Sequence, residues 1–157
     1  MKNSAKKIIG LFLLNYIEIS TSVFLSKFSI ILPITFLGYS FYVYRSRKNI
    51  SPIQAFLVGL FVDLIQGNFF GLNAILFCII TYLINSYSNA FKIFSYLQVC
   101  LFFGLSSTAY IGFSQLILNL YNFSYLTLII SAIINITLCM GIAIFSSYFP
   151  KIFRLKI

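Results

Sequence analysis

The chain has no histidine, no tryptophan and only two acidic residues, Glu18 and Asp63, among its 157 positions. Without an imidazole, neither a Ser-His-acid triad nor a Cys-His pair can be assembled. Zinc loses its usual nitrogen donor, and Cys78, Cys100 and Cys139 match no metal-ligand spacing. All three cysteines fall inside apolar runs and read as small hydrophobes. No glycine-rich loop leads into a lysine, so a phosphate cradle is absent as well. Two carboxylates can in principle form an acid–base pair, but no spacing brings these two together. The inventory points away from an enzyme and implies no metal and no cofactor.

Charge of either sign is scarce. Charged residues make up 8% of the chain, against about 25% in a soluble domain. Hydrophobic residues make up 61% and the mean hydropathy is +1.00, too apolar for a surface that faces water. The chain reads as an all-α integral membrane protein with the lipid bilayer as its solvent, in a single membrane domain, 1–157. The net charge of +9 does not argue for nucleic acid, because the basic residues sit in short gaps between apolar runs and form no stripe.

Six apolar runs are legible, at about 8–25, 28–44, 53–66, 72–87, 93–120 and 125–149. Each is read as a transmembrane helix. The first follows a basic start and lacks a clear small-x-small cleavage site, Ser20-Thr21-Ser22 being the nearest, so it is read as an uncleaved span. Ser26-Lys27 is a very short turn, and Pro33 is placed near the start of the second helix. Ser51-Pro52 reads as a helix start, a cap followed by proline at the first position. Ser88 to Lys92 reads as a loop, the fifth run is expected to tilt or kink near Gly104 or Gly112, and Tyr121 to Ser124 turns the chain. Alternating crossings put Lys2, Lys6, Lys7, Arg45, Arg47, Lys48, Lys92, Lys151, Arg154 and Lys156 on one side and Lys27 alone on the other. By the positive-inside rule both termini are cytoplasmic. Tyrosines near the run ends, Tyr42, Tyr44, Tyr87, Tyr96 and Tyr148 on the inner side and Tyr121 and Tyr125 on the outer, read as interfacial anchors.

Polar side chains inside these runs carry the remaining information. Asn15, Gln54, Asn73, Asn85, Gln98, Gln115, Asn119 and Asn135 are candidates for bonds between helices, at about 0.6 kcal/mol each. Glu18 and Asp63 lie roughly 16–18 Å from the inner edge at helical rise, near the bilayer midplane. No lysine or arginine shares that depth, so each acid is protonated, hydrogen-bonded to neighbours or paired with another protein. Asp63 stands among glycines at four-residue intervals: Gly59, Asp63, Gly67, Gly71. On a helix this spacing keeps the four on one face, where small residues let a second helix approach closely. Three roles are open to Asp63: holding the third helix and its following turn in one shape, meeting a partner protein, or handling a proton or solute. For Glu18 a structural role is expected.

The run Gly59-x-x-x-Asp63-Leu64-x-x-Gly67-x-x-x-Gly71-x-x-Ala74, continuing to Tyr82-Leu83, resembles the signature of the rod shape-determining protein MreD family. Chain length, span count and basic termini are also similar. Many members carry an Arg-Pro pair near the start of the second span; here Leu32 precedes Pro33, so any role of that arginine does not carry over. The resemblance implies an inner-membrane scaffold subunit of the bacterial cell-elongation complex. Its partners would be MreC, and indirectly the MreB filament and RodA with its transpeptidase, and its task would be to position or activate peptidoglycan synthesis. Gly59, Gly67 and Gly71 would then leave a shallow groove into which Asp63 projects, for MreC's single helix. The family has also been compared in fold with the six-helix substrate-binding subunits of vitamin transporters. That keeps a second expectation open, a small transporter subunit binding a vitamin-like solute in a cavity lined by Asp63, Asn73 and Glu18.

Overall fold

The computed structural model describes residues 2–46, 50–67, 69–91, 93–118 and 123–148. Among these, the regular elements are all helical: α1 (Lys2–Leu25), α2 (Ile34–Arg45), α3 (Pro52–Gln66), α4 (Leu72–Ser86), the single turn α5 (Ser88–Phe91), α6 (Tyr96–Leu118) and α7 (Tyr125–Tyr148). A 3-10 turn, Ser26–Phe28, follows α1. One helix, Leu97–Leu118 within α6, is long and apolar enough to cross a membrane; Pro52–Gln66, Leu72–Ser86 and Tyr125–Gly141 are apolar but shorter.

The six long helices alternate in direction. Contacts between α6 and α7 run antiparallel, Gly104 against Ile136 and Gly112 against Leu128. Those between α1 and α3 run parallel, Phe12 on Phe61 and Asn15 on Gln66. At the centre, α2, α4 and α6 meet through aromatic rings. Phe36 stacks on Tyr110 at 4.5 Å and Tyr39 on Phe77 at 4.4 Å, and the Tyr39 hydroxyl shares a 3.0 Å hydrogen bond with Thr81. Offset stacking of this kind adds about 0.5–1.5 kcal/mol per pair beyond the area buried. Large apolar side chains face outward from every long helix, among them Tyr16 on α1, Leu57 on α3, Ile75 on α4, Leu105 on α6 and Ile133 on α7.

Helix α3 begins with Pro52 in its first turn, as expected, although the Ser51 side chain makes no capping bond. It ends at Gly67, whose φ of 64° and ψ of 21° suit a residue without Cβ, and the connection closes at Gly71 with φ 97°. Open space surrounds both glycines, so backbone conformation, not packing, requires them. Gly59 is the opposite case. A Cβ there would lie 2.4 Å from the Cα of Ala74 and 2.6 Å from its nitrogen, so α3 and α4 touch backbone to backbone. The expected groove for a foreign helix is therefore filled by the chain's own next helix.

Several boundaries differ from the sequence reading. Helix α2 begins at Ile34, not near residue 28. Ser29 takes the left-handed conformation, φ 56°, and residues 30–33 run on without helix until Pro33 serves as the N-cap. Part of the predicted loop after α4 is the turn α5, and α6 starts only at Tyr96. Its start is a capping box: the Ser95 N–H donates to Gln98 Oε1 at 2.8 Å, and the Gln98 N–H to Ser95 Oγ at 3.4 Å. Helix α6 is uninterrupted, and Gly104 and Gly112 serve the approach of α7. The readings for Arg47, Lys48, Lys92, Asn119, Tyr121, Asn122, Lys151, Arg154 and Lys156 lie outside the described residues.

Gly59→Ala should destabilise the purified protein by about 1–3 kcal/mol, because the obstacle is backbone and not a movable side chain. Gly10→Ala, in open space on α1, should leave the thermal midpoint in detergent unchanged or slightly raised. Equal midpoints for the two variants would refute the α3–α4 contact.

Candidate functional site

Asp63 lies in the last turn of α3 and is 1% exposed. Its carboxylate accepts three backbone N–H groups from the start of α4: Gly71 to Oδ2 at 2.9 Å, Asn73 to Oδ1 at 3.1 Å and Ala74 to Oδ2 at 3.4 Å. These are among the donors that a helix's first turn leaves without an intrahelical partner. A carboxylate also suits the positive end of the helix dipole, a gain of up to about 2 kcal/mol where partly buried. Asp63 is thus the N-terminal cap of α4, supplied from the preceding helix. It does not project into a groove, and its three hydrogen bonds all lie within the α3–α4 hairpin.

Glu18 repeats the arrangement one hairpin earlier. From α1 its Oε2 accepts the Thr35 N–H at 2.6 Å, in the first turn of α2. Both acids of the chain therefore meet the start of the helix that follows their own. Residues 30–33, ahead of α2, are held from the other side by α7. The Ile31 N–H donates to Ser131 Oγ at 2.9 Å, and Asn135 Nδ2 donates to the Ile31 carbonyl at 3.1 Å. Ser131 and Asn135 are one helical turn apart, a spacing that lets one helix face satisfy both polar groups of a single residue.

A chain of amides joins the two caps. Asn15 on α1 accepts from Gln66 Nε2 at 3.1 Å, and Gln66 Oε1 accepts from Asn73 Nδ2 at 3.1 Å. Asn73 Oδ1 accepts the hydroxyl proton of Tyr110 on α6. Four helices are linked through side chains that are largely buried, with Asn73 at 0% and Asn15 at 1% exposure. Asn85 bonds the Ile50 carbonyl at 3.0 Å and so fixes the approach to α3. Gln54 is exposed, and Gln98 serves its own helix start. The free thiols of Cys78 and Cys100 are half-buried and that of Cys139 is buried.

The chain matches no family model, no curated protein and no solved structure. Its site has to be read from its own geometry.

Of the sequence-predicted residues, Gly59, Asp63, Gly67, Gly71, Ala74 and Asn73 converge on the α3–α4 hairpin. Glu18, which the Gln66 side chain ties to this hairpin, borders a cavity of about 350 Å³ beside residues 29–32, which is also lined by Ser22, Ser26, Gln115, Ser124 and Thr127. Asp63 and Asn73 are not among its lining residues. Sequence reasoning missed Gln66, Tyr110 and Ser131. Tyr110 carried a legible signal, a phenol near the middle of an apolar run, far from either interface, where a buried hydroxyl needs a partner.

Asp63→Ala leaves three backbone donors unmet and should destabilise the fold by about 2 kcal/mol or more. Asp63→Asn keeps one acceptor and should cost less. Amide exchange at residues 71–74 should accelerate in the same order while the amides at residues 107–111 keep their protection. Uniform acceleration across the chain, or none at residues 71–74, would refute the capping role.

Proposed function

We propose that the chain is a multi-pass protein of the bacterial inner membrane, with six crossings and both termini cytoplasmic. In this reading it is a non-enzymatic scaffold subunit of the cell-elongation complex. It binds MreC and helps position or activate peptidoglycan synthesis carried out with MreB, RodA and its transpeptidase.

One observation carries the reading. Five residues of the MreD-like motif have geometric tasks in the α3–α4 hairpin: Gly59 and Ala74 permit contact, Gly67 and Gly71 turn the chain, and Asp63 caps α4, while Leu64 and Tyr82 face outward. A motif whose glycines and acid set the shape of a hairpin suits a scaffold. The outward apolar side chains and the ten-to-one division of basic residues support the membrane placement. Helices α3 and α4, at 15 residues each, are about 22 Å long, short of a 30 Å hydrocarbon core. Their connection therefore lies below the bilayer surface, where a carboxylate replaces the water that would otherwise meet the first N–H groups of α4.

Because Ala74 covers the Gly59 face, MreC's helix has to meet another surface, and the acid is not its contact. The transporter reading ranks second, since it needs Asp63, Asn73 and Glu18 around one solute and, of the three, Glu18 alone lines the cavity of about 350 Å³.

Depletion in a rod-shaped host should round the cells, and the tagged chain should retain an MreC-like protein through purification. Asp63→Asn, which keeps the cap in part, should retain MreC in proportion to the folded protein recovered. Cells that stay rod-shaped, together with no MreC in the eluate, would dismiss the scaffold role.

A further inference from the structure

The cavity beside Glu18 has a chemical bias. It lies at the end of the bundle where α1 ends and α7 begins, the end that carries Lys27 alone among the chain's basic residues by the alternation of crossings. Its hydroxyl groups have mostly committed their protons elsewhere. Ser22 Oγ donates to the Ile19 carbonyl at 2.8 Å, Ser26 Oγ to the Val23 carbonyl at 3.0 Å, and Thr127 Oγ1 to Ser124 Oγ at 2.9 Å. What these oxygens present to the cavity is lone pairs. The Glu18 carboxylate meets the Thr35 N–H and the Gln66 side chain, and with about four lone-pair sites on its two oxygens it has acceptor capacity beyond these two. Gln115 is only 7% exposed, and its Oε1 is buried with no hydrogen-bond partner. A buried acceptor left unmet costs about 1–3 kcal/mol, so this one marks a place for a donor. No lysine or arginine is among the described lining residues to supply it.

We propose that this cavity binds an ammonium group carrying N–H donors, seated on the Glu18 carboxylate with Gln115 Oε1 as a second acceptor. A primary ammonium has the charge that Glu18 attracts and enough donors for both. At about 350 Å³ the cavity is near the small end of ligand sites and takes a headgroup-sized molecule. Two other cavities, of about 240 and 100 Å³, are lined almost wholly by apolar side chains and share none of this chemistry. The ammonium has two sources, a soluble amine or the ethanolamine headgroup of a phospholipid. The inference rests on the membrane placement alone and stands whether or not the chain binds MreC.

The test uses the full chain in phosphatidylcholine nanodiscs. Ethanolamine is titrated from solution, with choline, equally charged but without N–H, as control; separately, phosphatidylethanolamine replaces part of the disc lipid. A higher thermal midpoint with soluble ethanolamine identifies a soluble amine, and one that appears only with the lipid identifies the headgroup. Gln115→Leu leaves the Glu18–Thr35 bond intact and should weaken binding about tenfold or more, the loss of one buried acceptor. Glu18→Gln, which can still accept from Thr35, should abolish it. The proposal fails if neither amine source stabilises the protein more than its choline counterpart. It also fails if both variants keep the full stabilisation.

Discussion

A helix that begins inside a protein brings N–H groups that nothing in the helix can accept, and this bundle begins two of its helices that way. At α4 the acceptor is Asp63 and at α2 it is Glu18, each reaching across from the preceding helix. Unmet, each donor would cost about 1–3 kcal/mol, and the helix dipole favours an anion over a neutral cap at the same place. The chain has only these two acids. In the proposed membrane setting a stray carboxylate would cost at least about 2.5 kcal/mol, and both acids meet backbone donors instead.

The rest of the polar architecture follows from these two helix starts. Gln66, one turn beyond Asp63, reaches both Asn15 of α1 and Asn73 of α4, and Asn73 in turn holds Tyr110 of α6. Apolar packing between helices is tolerant of sliding, whereas a string of directional bonds across four helices fixes their heights relative to one another. The stacked pairs Phe36–Tyr110 and Tyr39–Phe77 lie at the same level and fill the space that this alignment defines. Helix α7 is brought in by different means, close contact at Gly104 and the clasp of Ser131 and Asn135 on Ile31. The irregular backbone before α2 is thereby paired on both sides.

Helix content, the extent of most helices and the break in the chain beside Asp63 were legible because each leaves a local mark: apolar length, Ser51-Pro52, glycines around an acid. The four-residue interval from Gly59 correctly announced a close approach. It could not say which helix approaches, and the neighbour in sequence took the place given in expectation to a foreign one. The start of α2 was misplaced because hydropathy records side chains and is blind to backbone. Residues 28–44 are continuously apolar, yet Ser29 and Pro33 interrupt the helix and Ser131 and Asn135, a hundred residues away, make the interruption tolerable. Only tyrosines near the run ends were singled out, as interfacial anchors, so Tyr110 in mid-run went unread.

The two capped starts differ in a way that separates their roles. Asp63 reaches Asn73 across 10 residues, through a connection of two glycine turns so tight that nothing remains beside the carboxylate. Glu18 reaches Thr35 across 17 residues, and the longer connection is a 3-10 turn followed by an irregular stretch ending at Pro33. Residues 29–32 of that connection line the cavity together with side chains of α1, α6 and α7. The same chemical device is sealed at one helix start and open at the other, and loop length decides which. Shape is the province of the sealed acid; recognition belongs to the one with space next to it.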